Sequence, residues 1–389
     1  MNRAVEEYQV AIDSADQIGI ICACPEGFES TWMPRHQVMT RLAKRFWTIW
    51  LEPAHNWRQL PGNISWPKSA QEPGYDRFLR YYPGFLPVIF RPRWLGSFVE
   101  TLRLRHAARE LRKRGCSKIF LYIWRPQFAH YAKLVSFDRC IYHIDDEYTF
   151  SDSEADIPPI ERQLILHADH VIIHSPALLE KKGDINPATT LVPNGVDYEL
   201  FSATRAEPDD LRSIPVPRAG YVGVVKKQLD LALLTSLARR RHNVSFVLVG
   251  PRGTLGSDEA TLDKLVAMPN VHELGNKNPG ELGAYMQHMD VLLMCYKNND
   301  YTKYIYPLKL HEYLATGRPA IATPIRTVQN FSNVVMLANS EDEWLSSLDN
   351  ALSSKERHPS RVDERKSTAK DFDWDLLVDK ISRILENLA

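Results

Sequence analysis

The chain has 389 residues, with 48 lysines and arginines against 48 aspartates and glutamates, so its formal net charge is zero. That balance argues against a protein that binds polyanions over its whole surface, and 44% hydrophobic with 10% aromatic residues excludes a disordered chain. The length exceeds one ordinary core and predicts two domains of roughly 150–200 residues each.

Residues 1–17 carry Glu6, Glu7, Asp13 and Asp16 without a long apolar core and do not read as a secretory leader. No run reaches the roughly 18 apolar residues that a membrane span needs, so no transmembrane helix is expected. The five cysteines, Cys22, Cys24, Cys116, Cys140 and Cys295, are odd in number and scattered, which suits reduced structural thiols in a cytoplasm.

Ile18 to Cys24 is a short apolar run followed by Pro25 and Gly27, the form of a first central strand in a parallel sheet. The loop after such a strand lies at the carboxyl edge of the sheet, where open α/β folds bind ligands. Trp32 lies in that loop, and Arg35 and His36 in the helix opening at Pro34 are therefore candidates to face the cleft. A solvated helix start accounts for Arg35 and His36 equally well. The helix turns Val38, Leu42 and Phe46 inward, and Phe46 to Pro53 reads as the second strand.

From Arg77 to Lys118 eleven basic residues stand against Glu100 and Glu110, interleaved with aromatics such as Phe78, Tyr81, Phe85, Phe90, Trp94 and Phe98. A basic, aromatic surface on a neutral protein suits an anionic membrane surface or a phosphate-bearing acceptor; core aromatics with solvating arginines are the alternative. No motif of a nucleic-acid-binding fold accompanies the charge, so nucleic acid is not expected.

Lys118–Trp124 and Arg139–Asp145 read as further strands. The second runs into His143-Ile144-Asp145-Asp146-Glu147-Tyr148, a dense titratable set at a strand end. Crowded carboxylates shift one another's pKa and serve as acid, base or charge stabiliser, which makes His143, Asp145 and Asp146 the catalytic candidates; a capping cluster is the other reading. A helix from Ile160 to Ala168, a strand at His170–His174 and a helix capped by Ser175 follow. Thr190 to Asp197 is a strand meeting a Pro-Asn-Gly turn, and the Pro-rich stretch from Glu207 to Pro217 reads as a linker, placing a boundary near residue 205.

Beyond it the strand–helix alternation restarts, predicting a second doubly wound parallel sheet over 206–365. Gly223-Val224-Val225-Lys226-Lys227 follows its first strand, where small residues and two lysines suit a diphosphate, or are solvated lysines before a helix. Tyr306 to Thr323 reads as loop, helix, turn and strand: Leu310, Tyr313 and Leu314 form a buried stripe, and Gly317 and Pro319 stop the helix. Pro307 suits the first turn, Lys309 beside open helix amides favours a phosphate, and Glu312 one turn later suits a ribose diol. An ordinary solvated pair at i, i+3 has the same spacing. The last segment, 366–389, contains an amphipathic helix whose acidic start at Asp371, Asp373 and Asp375 reads as capping rather than as a metal site.

Val192-Pro193-Asn194-Gly195-Val196-Asp197-Tyr198-Glu199-Leu200-Phe201, Val247-Leu248-Val249-Gly250-Pro251, Asn270-Val271 to Leu274-Gly275 and Pro307 to Pro319 together resemble GT-B fold glycosyltransferases of the family 4 type, among them bacterial polysaccharide and teichuronic-acid-type enzymes. The resemblance covers the second half well and the first half weakly. It implies two Rossmann-like α/β domains facing a cleft: 1–205 on the acceptor side, 206–365 for the nucleotide sugar, and 366–389 crossing back to the first domain.

It further implies that Glu312 meets the ribose, that Lys226 and Lys227 with Gly223 and Gly250 border the diphosphate, that Leu308 and Lys309 take the distal phosphate or sugar, and that Gly275 and Asn276 border the base. Tyr304 stands where family members often carry a first donor glutamate. The implied activity is retaining, metal-independent transfer of a sugar from a nucleotide-diphosphate sugar to a glycan or lipid-linked acceptor, with no cofactor; the expected location is the cytoplasm, either free or peripheral on the inner face of the cell membrane. A nucleotide-sugar epimerase and a non-catalytic sugar-nucleotide or glycan-binding subunit are the alternatives.

Overall fold

The computed structural model describes residues 18–53, 67–83, 93–149, 151 and 153–389. The readings made above for residues 1–17, and for Phe85 and Phe90 in the basic stretch, lie outside the described residues. Two sheets organise the chain. The first has the order β3-β4-β2-β1-β5-β6-β7-β8. Its strands are β1 (Ile18–Ala23), β2 (Trp47–Leu51), β3 (Lys68–Gln71), β4 (Phe78–Tyr82), β5 (Lys118–Ile123), β6 (Arg139–Ile144), β7 (His170–Ile173) and β8 (Thr189–Leu191). All pair in parallel except β3 with β4. Helices α1 (Pro34–Leu42), α2 (Arg93–Arg112), α3 (Pro159–His167) and α4 (Pro176–Lys182) lie between them in sequence.

The alternation of strand β1 shows why its run is apolar throughout. Ile18, Ile20 and Cys22 enter one core with Val38, Met39 and Leu42 of α1, while Ile21 and Ala23 enter the opposite core with Leu104, Ala107 and Leu111 of α2. A strand covered on both faces has no solvent side to leave polar.

The second sheet has the order β11-β10-β9-β12-β13-β14 and is parallel throughout. It is built from β9 (Arg218–Val222), β10 (Ser245–Val249), β11 (Val271–Gly275), β12 (Val291–Met294), β13 (Ala320–Ala322) and β14 (Met336–Leu337). The helices of this half include α5 (Tyr198–Ser202), α6 (Leu231–Arg240), α7 (Glu259–Val266), α8 (Leu282–Gln287), α9 (Leu308–Thr316), α10 (Glu341–Ala351), α11 (Pro359–Lys370) and α12 (Trp374–Leu388). Val196 and Phe201 pack into the second core, so chain affiliation changes just after β8 and the Asn194 turn.

Helix α12 returns to the first domain. Trp374, Leu377, Val378, Ile381 and Leu385 join the core that holds α1. Arg41 of α1 and Lys44 in the turn after it reach Asp375 at 2.7 and 3.0 Å. The two chain crossings are tied by backbone: Val196 N donates to Phe372 O and Trp374 N to Val196 O, both at 3.0 Å.

The basic stretch divides. Phe78 and Tyr81 lie on β4 inside the two cores, and Arg80 between them is buried against Glu52 and Glu29, each at 2.7 Å. Composition alone could not separate a strand whose arginine is neutralised by distant carboxylates from a solvated surface. What remains outward is on α2 and the turn after it, where Phe98 is 57% exposed and Arg105, Arg109, Arg112 and Lys113 are exposed. Among the described residues no helix is long and apolar enough to cross a membrane.

Candidate functional site

The second-domain half of the site is set by α9. Leu310, Tyr313 and Leu314 are fully buried, and the Tyr313 hydroxyl accepts from Val222 N at 3.0 Å, which pins the helix to the end of β9. Lys309 is thereby laid against Gly223, its ammonium 5.0 Å from the Tyr221 ring centroid. A Cβ on Gly223 would lie 2.5 Å from Lys309 Cε and closer still to Nζ, and φ there is +137°. Gly250, at φ +138°, backs Gly223 so closely that its own Cβ would stand 2.6 Å from the Gly223 carbonyl carbon. The carboxyl ends of β9 and β10 thus form a side-chain-free step with one lysine laid across it.

Burial lowers the Lys309 pKa to about 8, with Glu312 acting against that shift and Lys226 adding to it. Burial raises the Glu312 carboxyl, and Lys309 opposes the rise. These are therefore not a solvated surface pair: each is partly buried, and each opposes the shift that burial imposes on the other. Lys226 and Lys227 are exposed on the loop after Gly223, and Asn276 is exposed beyond β11.

In the first domain the ends of β1, β5 and β6 converge on Asp145. Its carboxylate takes Arg35 at 3.2 Å and the Tyr148 hydroxyl at 2.9 Å, and Arg35 also meets Glu26 at 3.1 Å. Next to it, burial and the Asp145 charge raise the Asp146 pKa to about 6, and Tyr301 of the second domain donates to it at 3.2 Å. His143 stacks on Trp124 with centroids 4.1 Å apart, and its Nδ1 faces the Tyr122 hydroxyl at 2.8 Å. Burial holds its pKa well below the ordinary value, so the ring is neutral.

Three candidates fall away from the roles given to them by position. Arg35 is 2% exposed, engaged by two carboxylates and absent from the lining of the interdomain cavity, so its place is behind Asp145 rather than at the cleft surface. His36 is 0% exposed and stacked between Trp32 and Trp50, its pKa lowered to about 4 mainly by burial. Tyr304 is 5% exposed against the first-domain core and donates to Glu154 at 2.7 Å, so the side chain at the donor-glutamate position faces the opposite domain. Lys303 pairs with the same carboxylate, making residues 301–304 a polar seam between the domains.

Trp32, Leu308 and Glu312 do share one space, a cavity of about 790 Å³ between the domains. Its other walls include Gln37 and Arg41 of α1, Leu282 of α8 and Trp374 of α12. That volume is in the usual range for small-molecule sites, roughly 300–1,000 Å³. Glu26, Arg125 and Tyr301 gather at the Asp145–Asp146 cluster without having been picked as site residues: Glu26 through Arg35, Arg125 with its guanidinium 4.6 Å from the Tyr148 ring centroid, and Tyr301 through Asp146. Glu26 and Arg125 lie within two residues of the ends of predicted strands at the ligand-binding edge, a signal that would have found them; Tyr301 carries none.

Residues 217–354 match the family model described as Glycosyl transferases group 1. Over 216 residues the chain is 32% identical to TuaH of Bacillus subtilis (strain 168), described as a teichuronic acid biosynthesis glycosyltransferase; the match takes in 51% of this chain and 53% of that protein, so it spans about half the length of the curated relative. Among solved structures, the E. coli trehalose-6-phosphate protein bound with UDP-2-fluoro glucose superposes with a TM-score of 0.69 at 13% identity, covering 96% of this chain and 99% of that one. Anabaena Alr3699/HepE in complex with UDP and glucose gives 0.65 at 13% identity, covering 95% and 100%. At such identities the likeness speaks for architecture. The chain has the GT-B fold, and its second half carries a Glycosyl transferases group 1 domain.

Proposed function

We propose that the protein transfers a sugar from a nucleoside-diphosphate sugar to a hydroxyl of a glycan or lipid-linked acceptor in bacterial surface polysaccharide synthesis. The observation that carries this reading is the placement of Glu312 on the cavity wall, one turn from Lys309 and the Gly223 step. Ribose hydroxyls donate to Glu312, while the diphosphate lies along Lys309, Lys226 and the first amides of α9, where orphan helix N–H groups favour an anion. The sugar C1–O bond to the diphosphate breaks with the electron pair going to the phosphate oxygen. The acceptor oxygen forms the new bond to C1, and its proton passes to Asp146, whose raised pKa suits that task near neutral pH.

Preorganised positive charge at the departing diphosphate stabilises the transition state without a metal ion. The family resemblance supports retention of configuration at C1. Asp145 and Arg35 hold the Asp146 loop, and neutral His143 lines the same strand end. The exposed arginines of α2 suit docking at an anionic cytoplasmic membrane face, where a lipid-linked acceptor resides.

One observation favours a non-catalytic donor-binding subunit: Tyr304, in place of a carboxylate, is withdrawn into the domain seam. Turnover separates the two. Release of nucleoside diphosphate from a nucleotide sugar, dependent on acceptor and lost in Asp146→Asn, supports transfer; donor binding without release under any acceptor supports the subunit reading.

A further inference from the structure

Trp32, His36 and Trp50 form a column of three rings. His36 lies 4.9 Å from Trp32 at an interplanar angle of 24°, and 4.8 Å from Trp50 at 27°. Trp50 is fully buried at the inner end, whereas Trp32 at the outer end is 39% exposed and lines the cavity that Glu312 also lines. The neutral state of His36 keeps the column apolar to its end. A large aromatic ring left half bare at the mouth of a cavity is a surface on which another flat ring stacks.

We infer that Trp32 stacks on the nucleobase of the donor, so that the nucleotide is held by both domains. This rests on the reading of Glu312 as the ribose contact. Along α9, Lys309 turns to the Gly223 step while Leu308 and Glu312, at i and i+4, face the cavity. With the diphosphate at Lys309 and the ribose at Glu312, the group beyond the ribose enters the cavity, and that group is the base. The walls around it set Met33 and Pro34 from the first domain and Pro279 and Leu282 from the second beside polar Gln37, Arg41 and Asp197, which suits a flat base with an apolar face and a hydrogen-bonding edge. First-domain contact with the base ties donor binding to domain approach, since neither domain alone completes the pocket.

Calorimetric titration of the full chain with UDP, GDP, ADP and dTDP, and with inorganic pyrophosphate as a baseless probe, tests this. Trp32→Ala is expected to weaken the best-bound nucleoside diphosphate about tenfold or more, as loss of base–aromatic stacking does. Trp32→Phe retains most of the affinity, and pyrophosphate binds all three proteins alike, which shows the remainder of the site intact. Nucleoside diphosphate affinity unchanged within about twofold in Trp32→Ala overturns the inference while Glu312→Ala still loses binding. A raised acceptor KM as the sole effect of Trp32→Ala overturns it in favour of an acceptor platform. No binding of any nucleoside diphosphate to the unsubstituted chain overturns this inference and the donor reading together.

Discussion

Gly223→Ala isolates the contact on which the proposed diphosphate site rests. The new methyl would enter the space of the Lys309 side-chain tip, 2.5 Å from Cε, on a backbone at φ +137°. The steric part is cheap, because a lysine tip swings away. The backbone part is not: a non-glycine residue held there costs about 1–3 kcal/mol. Swinging Lys309 off the step removes a charge-assisted contact worth about 1.5–3 kcal/mol, or about 10- to 150-fold in donor affinity. Calorimetry with the bound nucleoside diphosphate and urea unfolding read the two quantities separately. Adding Lys309→Ala to Gly223→Ala should cost little more than either alone, because both remove one interaction. A stable Gly223→Ala protein that binds donor within twofold of the unsubstituted chain would refute the assignment of Lys309 to the diphosphate.

Gly250→Ala should destabilise more than Gly223→Ala, by about 3 kcal/mol or more, because its Cβ meets the Gly223 backbone at 2.6 Å and backbone has nowhere to swing; denaturant midpoints decide. The Lys309 pKa of about 8 lies below its ordinary 10.5, so the unfolded chain holds more protons between those values and the Lys309 contribution to stability rises with pH across that window. Affinity for a diphosphate runs the opposite way, falling as pH passes through 8 and the ammonium is lost, and Lys309→Ala should flatten both profiles. Asp145→Asn, which leaves Arg35 buried with only Glu26, should lower stability by several kcal/mol, whereas Asp146→Asn should leave stability at pH 7 unchanged or raised and cut turnover; equal melting temperatures for the two would contradict the division of roles. If the exposed arginines of α2 dock on an anionic membrane, reversing Arg109 and Arg112 to glutamate should abolish sedimentation with anionic vesicles at low salt; retained sedimentation, or none by the unsubstituted chain, would contradict that docking.

Much of the fold was legible because parallel strands buried on both faces read as continuous apolar runs, as Ile18–Ala23 and Val291–Met294 do. The α9 segment was legible for a local reason: its buried stripe and Gly317 stop lie within a dozen residues, and the helix forms as Leu308–Thr316. β4 was not legible, because Arg80 sits in it and its two closest carboxylates, Glu52 and Glu29, are 28 and 51 residues distant, with Glu72 adding a longer contact at 3.3 Å. The same limit applies to function. Arg35 and His36 stood at the right sheet edge, but whether a polar side chain faces a cleft or a buried partner depends on Asp145, 110 residues on, and on Trp50 behind it. Strand ends were visible; the partners that occupy them were not.

The central claim is that Glu312 holds the ribose of a nucleotide-sugar donor. The direct measurement is the thermal shift of the full chain and of Glu312→Ala against UDP, GDP, ADP, CMP and dTDP and their common sugars. A ligand at a hundred times its Kd stabilises the folded state by about 2.7 kcal/mol. A clear rise in Tm with one nucleoside diphosphate is expected, lost in Glu312→Ala while the ligand-free Tm stays close to that of the unsubstituted chain. An equal rise in both proteins would contradict the claim.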